Sequence, residues 1–196
     1  MTRMAKMTRK TAETSIALSL NLDGEGNYQV KTGIGFFDHM LSHLAYHGLL
    51  DLTIEATGDL EVDGHHIIED IGILLGQAFT EALGDKTGIY RYGSAIVPMD
   101  DALVLVAIDF SGRSFLNFKV PLGEGKIGQQ FDVELAEEFF QAFSRVGMNI
   151  HITALAGKNR HHLLEAAFKA FGRAVREAVM IDPRRRGIPS TKGILI

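Results

Sequence analysis

The chain has 196 residues, 46% of them hydrophobic and 22% charged, which suits one globular unit or two small fused halves with a real core. Its net charge of −4 excludes broad nucleic-acid binding, which needs a basic face to displace counterions. With no cysteine, disulfides and thiolate sites are excluded, and any metal must be held by His, Asp or Glu. Met1 to Lys10 is basic but lacks the apolar stretch of a signal peptide. No apolar run reaches membrane-spanning length, so a cytoplasmic location is expected.

Arg9 to Leu22 alternates, with Thr14, Ile16, Leu18 and Leu20 on one side and Glu13, Ser15, Ala17 and Ser19 on the other, the pattern of a half-buried strand. Asp23-Gly24-Glu25-Gly26 reads as a turn, which predicts Asn27–Lys31 as the returning strand of a hairpin. Phe36–His47 is a helix closed by Gly48. Leu50–Ala56 is a strand and His65–Leu83 a helix. Strands follow at Tyr92–Met99, Ala102–Asp109 and Arg113–Val120. Asp132 is a candidate cap for a helix running to Val146. Asn149–Leu155 is a strand, and Asn159 a candidate cap for a helix reaching about Val179. The tail from Asp182 to Ile196 reads as a loop.

The order β-β-α-β-α is followed by β-β-β-α-β-α, and the second half repeats the first. Gly64-His65-His66-Ile67-Ile68-Glu69 matches Arg160-His161-His162-Leu163-Leu164-Glu165 at an offset of 96. A repeat occurring twice at that period indicates a duplicated half-domain rather than a solenoid. The predicted fold is α+β: half-domains 1–90 and 91–196 in one unit, with two mixed β-sheets sandwiching a layer of four helices about a pseudo-twofold axis.

The repeated motif carries the chemistry. On a helix, His65 and Glu69 are four residues apart and His66 and Glu69 three apart, so each pair shares a face. Adjacent residues point about 100° apart, so His65 and His66 can serve two different ions. Imidazole and carboxylate suit Mn, Fe, Zn or Ni. One such motif at a helix start can be incidental. Two copies at matching places in a duplicated domain argue for constraint, because surface residues drift freely after duplication. A further stripe, His39, His43 and His47, recurs every four residues on Phe36–His47, so seven of the eight histidines fall in three short segments. The eighth, His151, lies in a strand and reads as structural.

Gly35-Phe36-Phe37-Asp38-His39-Met40-Leu41, His47-Gly48, the two His-His-x-x-Glu motifs, Ala156-Gly157-Lys158-Asn159, Phe168-Lys169-Ala170-Phe171, Asp182-Pro183-Arg184-Arg185 and Pro189-Ser190-Thr191-Lys192-Gly193 together resemble the imidazoleglycerol-phosphate dehydratase family. The matching pieces run from about Arg9 to Gly193, with no added phosphatase domain, as in the monofunctional form. The resemblance implies dehydration of imidazole glycerol phosphate to imidazole acetol phosphate in histidine biosynthesis. It also implies two Mn(II) per site and a homo-oligomer of 24 subunits with sites between subunits, and no nucleic-acid or membrane partner.

By motif match, one ion would be held by His65, His161 and Glu165, the other by His39, His66, Glu69 and His162. Family members often carry His where this chain has Glu138, which can also ligate. At His43 relatives commonly carry another residue, so no role is carried over to it. Glu13 matches the family's acid/base position, and His47 is a second proton-transfer or substrate-positioning candidate. Glu13, His39 and His47 would also meet the substrate. Arg91, Arg113, Lys169, Ser190, Thr191 and Lys192 match phosphate-binding positions, where Arg offers forked donors and Lys a point charge. Arg184-Arg185-Arg186 is assigned to subunit contacts or tail placement.

The chemistry fits these residues. A carbon-bound proton must leave with no carbonyl as electron sink, and an imidazolate stabilised by a cation at each ring nitrogen can serve, through a diazafulvene. The competing reading is a dinuclear metallohydrolase such as a phosphatase. Those sites usually carry bridging carboxylates, whereas histidine dominates here, which favours an azole substrate. A metal-storage protein would need neither Glu13 nor the cationic tail.

Overall fold

The alternation of Thr14, Ile16, Leu18 and Leu20 buries one face of a strand in the computed structural model, which describes residues 3–195. That strand, β2 (Thr14–Asn21), pairs antiparallel with β1 (Met4–Lys10) on one side and with β4 (Asp51–Gly58) on the other. A short β3 (Tyr28–Lys31) completes the sheet, parallel to β4, in the order β1-β2-β4-β3. The second half reproduces this strand for strand. β5 (Tyr92–Met99), β6 (Ala102–Asp109), β10 (Asn149–Ala156) and β7 (Phe115–Lys119) lie in that order, with β7 parallel to β10 and the other pairs antiparallel.

Four helices fill the space between the sheets: α1 (Gly35–Gly48), α2 (His65–Leu83), α3 (Leu135–Ser144) and α4 (Arg160–Val179). α2 packs on β1 and β2, α4 on β5 and β6, α1 on β3 and α3 on β7, while α1 meets α4 and α2 meets α3. The fold is thus the duplicated α+β sandwich of the sequence reading. Each helix buries a stripe at helical spacing, Phe37, Met40, Leu41, Leu44 and Ala45 on α1 for example. Phe37, Phe139, Phe140, Phe143, Phe168 and Phe171 are fully buried and pack ring against ring where α1, α3 and α4 meet.

Two glycines set how closely the helices approach. A methyl group on Gly172 of α4 would lie 2.7 Å from the Leu44 carbonyl oxygen of α1, and one on Gly76 of α2 would lie 2.9 Å from the Phe143 carbonyl oxygen of α3. The glycines stand 96 residues apart, the offset of the histidine motifs. Paired helices run in the same direction, since His39 faces His161 near the start of α1 and α4 and Leu44 faces Gly172 further along. Gly64, just before α2, lies against Ile34, just before α1, and against Leu135, the first residue of α3. All four helices therefore begin at one end of the molecule, the end that carries His39, His65, His66, His161 and His162.

Several local expectations are corrected. The stretch Arg9–Leu22 is not one strand: it breaks at Thr11, whose Oγ1 accepts the Glu13 and Thr14 N–H groups, and Glu13 sits in that turn. β3 does not form a hairpin with β2. Asp51, at the start of β4, accepts the N–H groups of Glu25 and Asn27 and the Asn27 side chain, so the turn crosses the head of β4 and delivers β3 to its far side. Gly48 is the last residue of α1 rather than its terminator; Leu49 takes the left-handed position at φ 50°. Asp132 does not cap α3. It belongs to a small ribbon of β8 (Lys126–Ile127) and β9 (Phe131–Asp132), and α3 starts after Glu134 with no side-chain cap. Asn159 does cap α4, its side chain accepting the His161 and His162 N–H groups.

Candidate active site

The start of α4 and the exposed edge of α1 form the densest group. Glu165, one turn into α4, is buried. Its Oε2 lies 3.0 Å from His161 Nε2 and 3.3 Å from His39 Nε2. Its Oε1 lies 2.6 Å from Lys169 Nζ and 3.3 Å from His43 Nε2. His43 Nε2 is also 3.1 Å from His39 Nε2, and the His47 ring stacks on His43 with centroids 5.7 Å apart. Burial pushes the Glu165 carboxyl up, but the hydrogen bonds from Lys169 and His39 outweigh it and hold it at about 2. Burial lowers His43 to about 4, helped by the neighbouring His39.

Imidazole nitrogens and carboxylate oxygens roughly 3 Å apart are spaced as neighbouring ligands on one ion with bonds of about 2.1 Å. His39, His43 and Glu165 form one group of metal-capable atoms and Glu13, Asp59 and His66 another. This donor set fits a borderline or hard divalent metal.

The second group lies at the start of α2. His66 Nδ1 is 3.0 Å from Asp59 Oδ2, and its Nε2 is 3.8 Å from Glu13 Oε1. The hydrogen bond to Asp59 raises the basicity of the ring. Buried Asp70 ties this helix to the turn bearing Glu13: its Oδ1 accepts Arg9 Nε at 2.8 Å and its Oδ2 accepts the Thr14 hydroxyl at 2.5 Å. Glu69 pairs with Arg145 at 3.1 Å. His65 is half-buried beside His66, and Glu138 is half-buried on α3; neither side chain has a hydrogen-bond partner among the described residues.

The third group surrounds His162. Its Nδ1 is 2.7 Å from Asp101 Oδ1, and its Nε2 is 3.4 Å from Asp100 Oδ2. Asp101 Oδ2 accepts the Lys158 and Asn159 N–H groups. The bond from His162, then those two N–H groups, hold the Asp101 carboxyl well below the usual carboxylate range.

Five of the six sequence-predicted phosphate ligands line one cavity of about 510 Å³: Arg91, Arg113, Ser190, Thr191 and Lys192. Tyr92, Ile194 and Leu195 complete it. Arg91 makes a forked pair with Asp109 at 2.7 and 3.1 Å, donates to the Pro189 carbonyl at 3.0 Å and lies over the Tyr92 ring. Its backbone is left-handed at φ 74°, a conformation unusual for a non-glycine residue. The sixth, Lys169, lies instead with Glu165.

Sequence reasoning missed Asp59, Asp100, Asp101 and Tyr92 and set His43 aside. One signal pointed to the Asp100-Asp101 pair. The β5–β6 turn is the counterpart of the β1–β2 turn that holds Glu13, so a carboxylate was to be sought there.

Comparison with known proteins agrees with this arrangement. Residues 32–175 match the family model for imidazoleglycerol-phosphate dehydratase. The imidazoleglycerol-phosphate dehydratase of Moorella thermoacetica is 59% identical over the full length of both chains. That of Desulforamulus reducens is 57% identical over 98% of each. The crystal structure of the Pyrococcus furiosus IGPD in complex with (S)-C348 superposes with a TM-score of 0.82 at 41% identity, over 96% of this chain and 100% of that one. Full-length identity, a shared fold and histidines gathered at one end of the helix layer leave one assignment: the chain belongs to the imidazoleglycerol-phosphate dehydratase family.

Proposed function

We propose that the dehydration of imidazole glycerol phosphate to imidazole acetol phosphate, the hydro-lyase step this family contributes to histidine biosynthesis, runs in this chain at a site of two Mn(II) ions. The observation that carries the reading is the convergence of His39 and His161 on one oxygen of buried Glu165, at 3.3 and 3.0 Å. The ligand set is His65, His161 and Glu165 for one ion and His39, His66, Glu69 and His162 for the other, with Glu138 as a further ligand. Divalent cations at such a site supply Lewis acidity that stabilises negative charge on an azole ring.

The chain's own groups do the rest. Glu13 accepts and returns the proton at the glycerol chain, since its exposed carboxylate faces the histidine group from a turn clamped by Asp70. His47, stacked on His43, is a second group for proton transfer or substrate positioning. Arg91, Arg113, Ser190, Thr191 and Lys192 receive the phosphate in their shared cavity, and Lys169 adds charge from the Glu165 side. The tail from Asp182 orders over the bound substrate, tethered at Pro189 by Arg91.

Within one chain His39 bonds Glu165 rather than any member of the His66 group. Completing both ion sites therefore takes ligands from a second subunit, in keeping with a homo-oligomer of 24 chains. The half-domain boundaries 1–90 and 91–196 and a cytoplasmic location belong to the same proposal; no described helix is long and apolar enough to cross a membrane.

The test is an assay of Mn(II)-loaded protein with imidazole glycerol phosphate, following ketone and free phosphate together. Ketone without phosphate release is expected. Phosphate release without ketone would replace the dehydratase reading with a hydrolase.

A further inference from the structure

A histidine has two ring nitrogens, and only one can face a metal. Which one is free is decided by what the other nitrogen meets. In both His-His-x-x-Glu motifs the second histidine meets a carboxylate at hydrogen-bond distance through Nδ1, Asp59 at 3.0 Å for His66 and Asp101 at 2.7 Å for His162, whereas the carboxylates near Nε2 stand farther off, Glu13 at 3.8 Å and Asp100 at 3.4 Å.

The two carboxylates do not descend from one ancestral position. Asp59 precedes its histidine by 7 residues, in the loop between β4 and α2, while Asp101 precedes its histidine by 61, in the turn between β5 and β6. The position 96 residues after Asp59 is Leu155, an exposed apolar residue. Each half has thus found its own carboxylate for the same nitrogen. Duplication alone would have copied one solution.

We infer that Asp59 and Asp101 are positioning residues that hold His66 and His162 with the proton on Nδ1 and the Nε2 lone pair directed outward. This rests on the reading of those histidines as metal ligands. Outer-shell carboxylates of this kind commonly change metal affinity about 10- to 100-fold when removed.

The surroundings of the two carboxylates differ, and that gives an uneven pair of predictions. Among the described residues, only His66 hydrogen-bonds the Asp59 carboxylate. An Asn there can turn its oxygen to the ring, so Asp59→Asn should bind Mn(II) like the native protein while Asp59→Ala binds it more weakly. Asp101 has its other oxygen committed to the Lys158 and Asn159 N–H groups. An Asn there must give its one oxygen to those two donors and point its NH2 at His162. That reverses the proton on the ring and turns Nε2 from ligand to donor. Asp101→Asn, the isosteric change, should therefore weaken Mn(II) binding about 10- to 100-fold.

The test is a Mn(II) titration of the intact assembly followed by the EPR signal of free aqueous Mn(II), with circular dichroism of each variant as the check on folding. His66→Ala and His162→Ala are titrated alongside. Native-like affinity in Asp101→Asn, or equal weakening by Asp59→Asn and Asp59→Ala, overturns the proposal while leaving the ligand reading intact if the histidine variants lose Mn(II). Full Mn(II) binding in both histidine variants overturns the ligand reading and this proposal with it. If Asp101→Asn does not fold, the Asp59 pair decides alone.

Discussion

Glu13 shows how much a single side chain depends on its neighbours here. Its carboxylate is more than half exposed and ends 3.8 Å from His66 Nε2, so water can reach it and its charge is not committed to an ion pair at bonding distance. Glu13→Gln keeps its size and loses its basicity. We expect Mn(II) and substrate binding to persist and kcat to fall about 10²- to 10⁴-fold, the usual worth of a positioned acid/base; normal turnover would remove Glu13 from that role. At this scale the sequence was most legible where chemistry repeats. His65, His66, Glu69 and their copies 96 residues on announce themselves by type and spacing. Asp59 and Asp101 do not, because a carboxylate that orients a ring across a turn leaves no periodic trace. Lys169, a phosphate candidate from its place in a motif, stands four residues from Glu165 on the helix and bonds it, a contact that the motif itself does not announce.

Among the elements, α4 and α1 are held by backbone meeting backbone at Gly172. An alanine at an exposed helical glycine usually stabilises by about 1 kcal/mol. At Gly172 or Gly76 the sign should reverse, with a loss of about 1–3 kcal/mol from overpacking, read as a lower midpoint in thermal or denaturant unfolding. Unchanged or raised midpoints would mean that the helices can separate at little cost. The Asp23–Gly26 turn gives a prediction in pH. Backbone hydrogen bonds, foremost that from Glu25, lower the Asp51 carboxyl below its ordinary value. Its contribution is therefore complete above the unfolded aspartate value near 4 and is lost as pH falls through the lower folded value. Asp51→Ala should cost about 1 kcal/mol at pH 7 and progressively less in acid; a pH-independent difference would assign the effect to packing alone. This turn also explains why the hairpin expectation failed. Local sequence marks a turn, but the strand that receives the chain afterwards is chosen by Asp51, 24 residues from Asn27. Strand alternation and helix stripes were legible because burial on one face writes its period directly into the sequence; β8, β9 and the start of α3 are too short to carry a period.

For the whole molecule, the duplication was legible from one six-residue match, and the two sheets bear it out with the same strand order and directions. What the sequence did not reveal is that one chain gathers its candidate ligands into three separate groups rather than one site. If the assembly completes them, metal is part of its glue. Light scattering should then report a smaller particle after exhaustive chelation than with Mn(II) restored, and an unchanged mass would separate assembly from metal. The glycine contacts bear on this as well. Because α1 and α4 touch through peptide atoms at Leu44 and Gly172, no deformable side-chain layer lies between them there. The backbones that carry His39 and Glu165 are thus held as in a rigid calliper, and only their side chains adjust across the fixed spacing. Any ion bound near these helices would then be met by side-chain rotation, because the frame itself has little give.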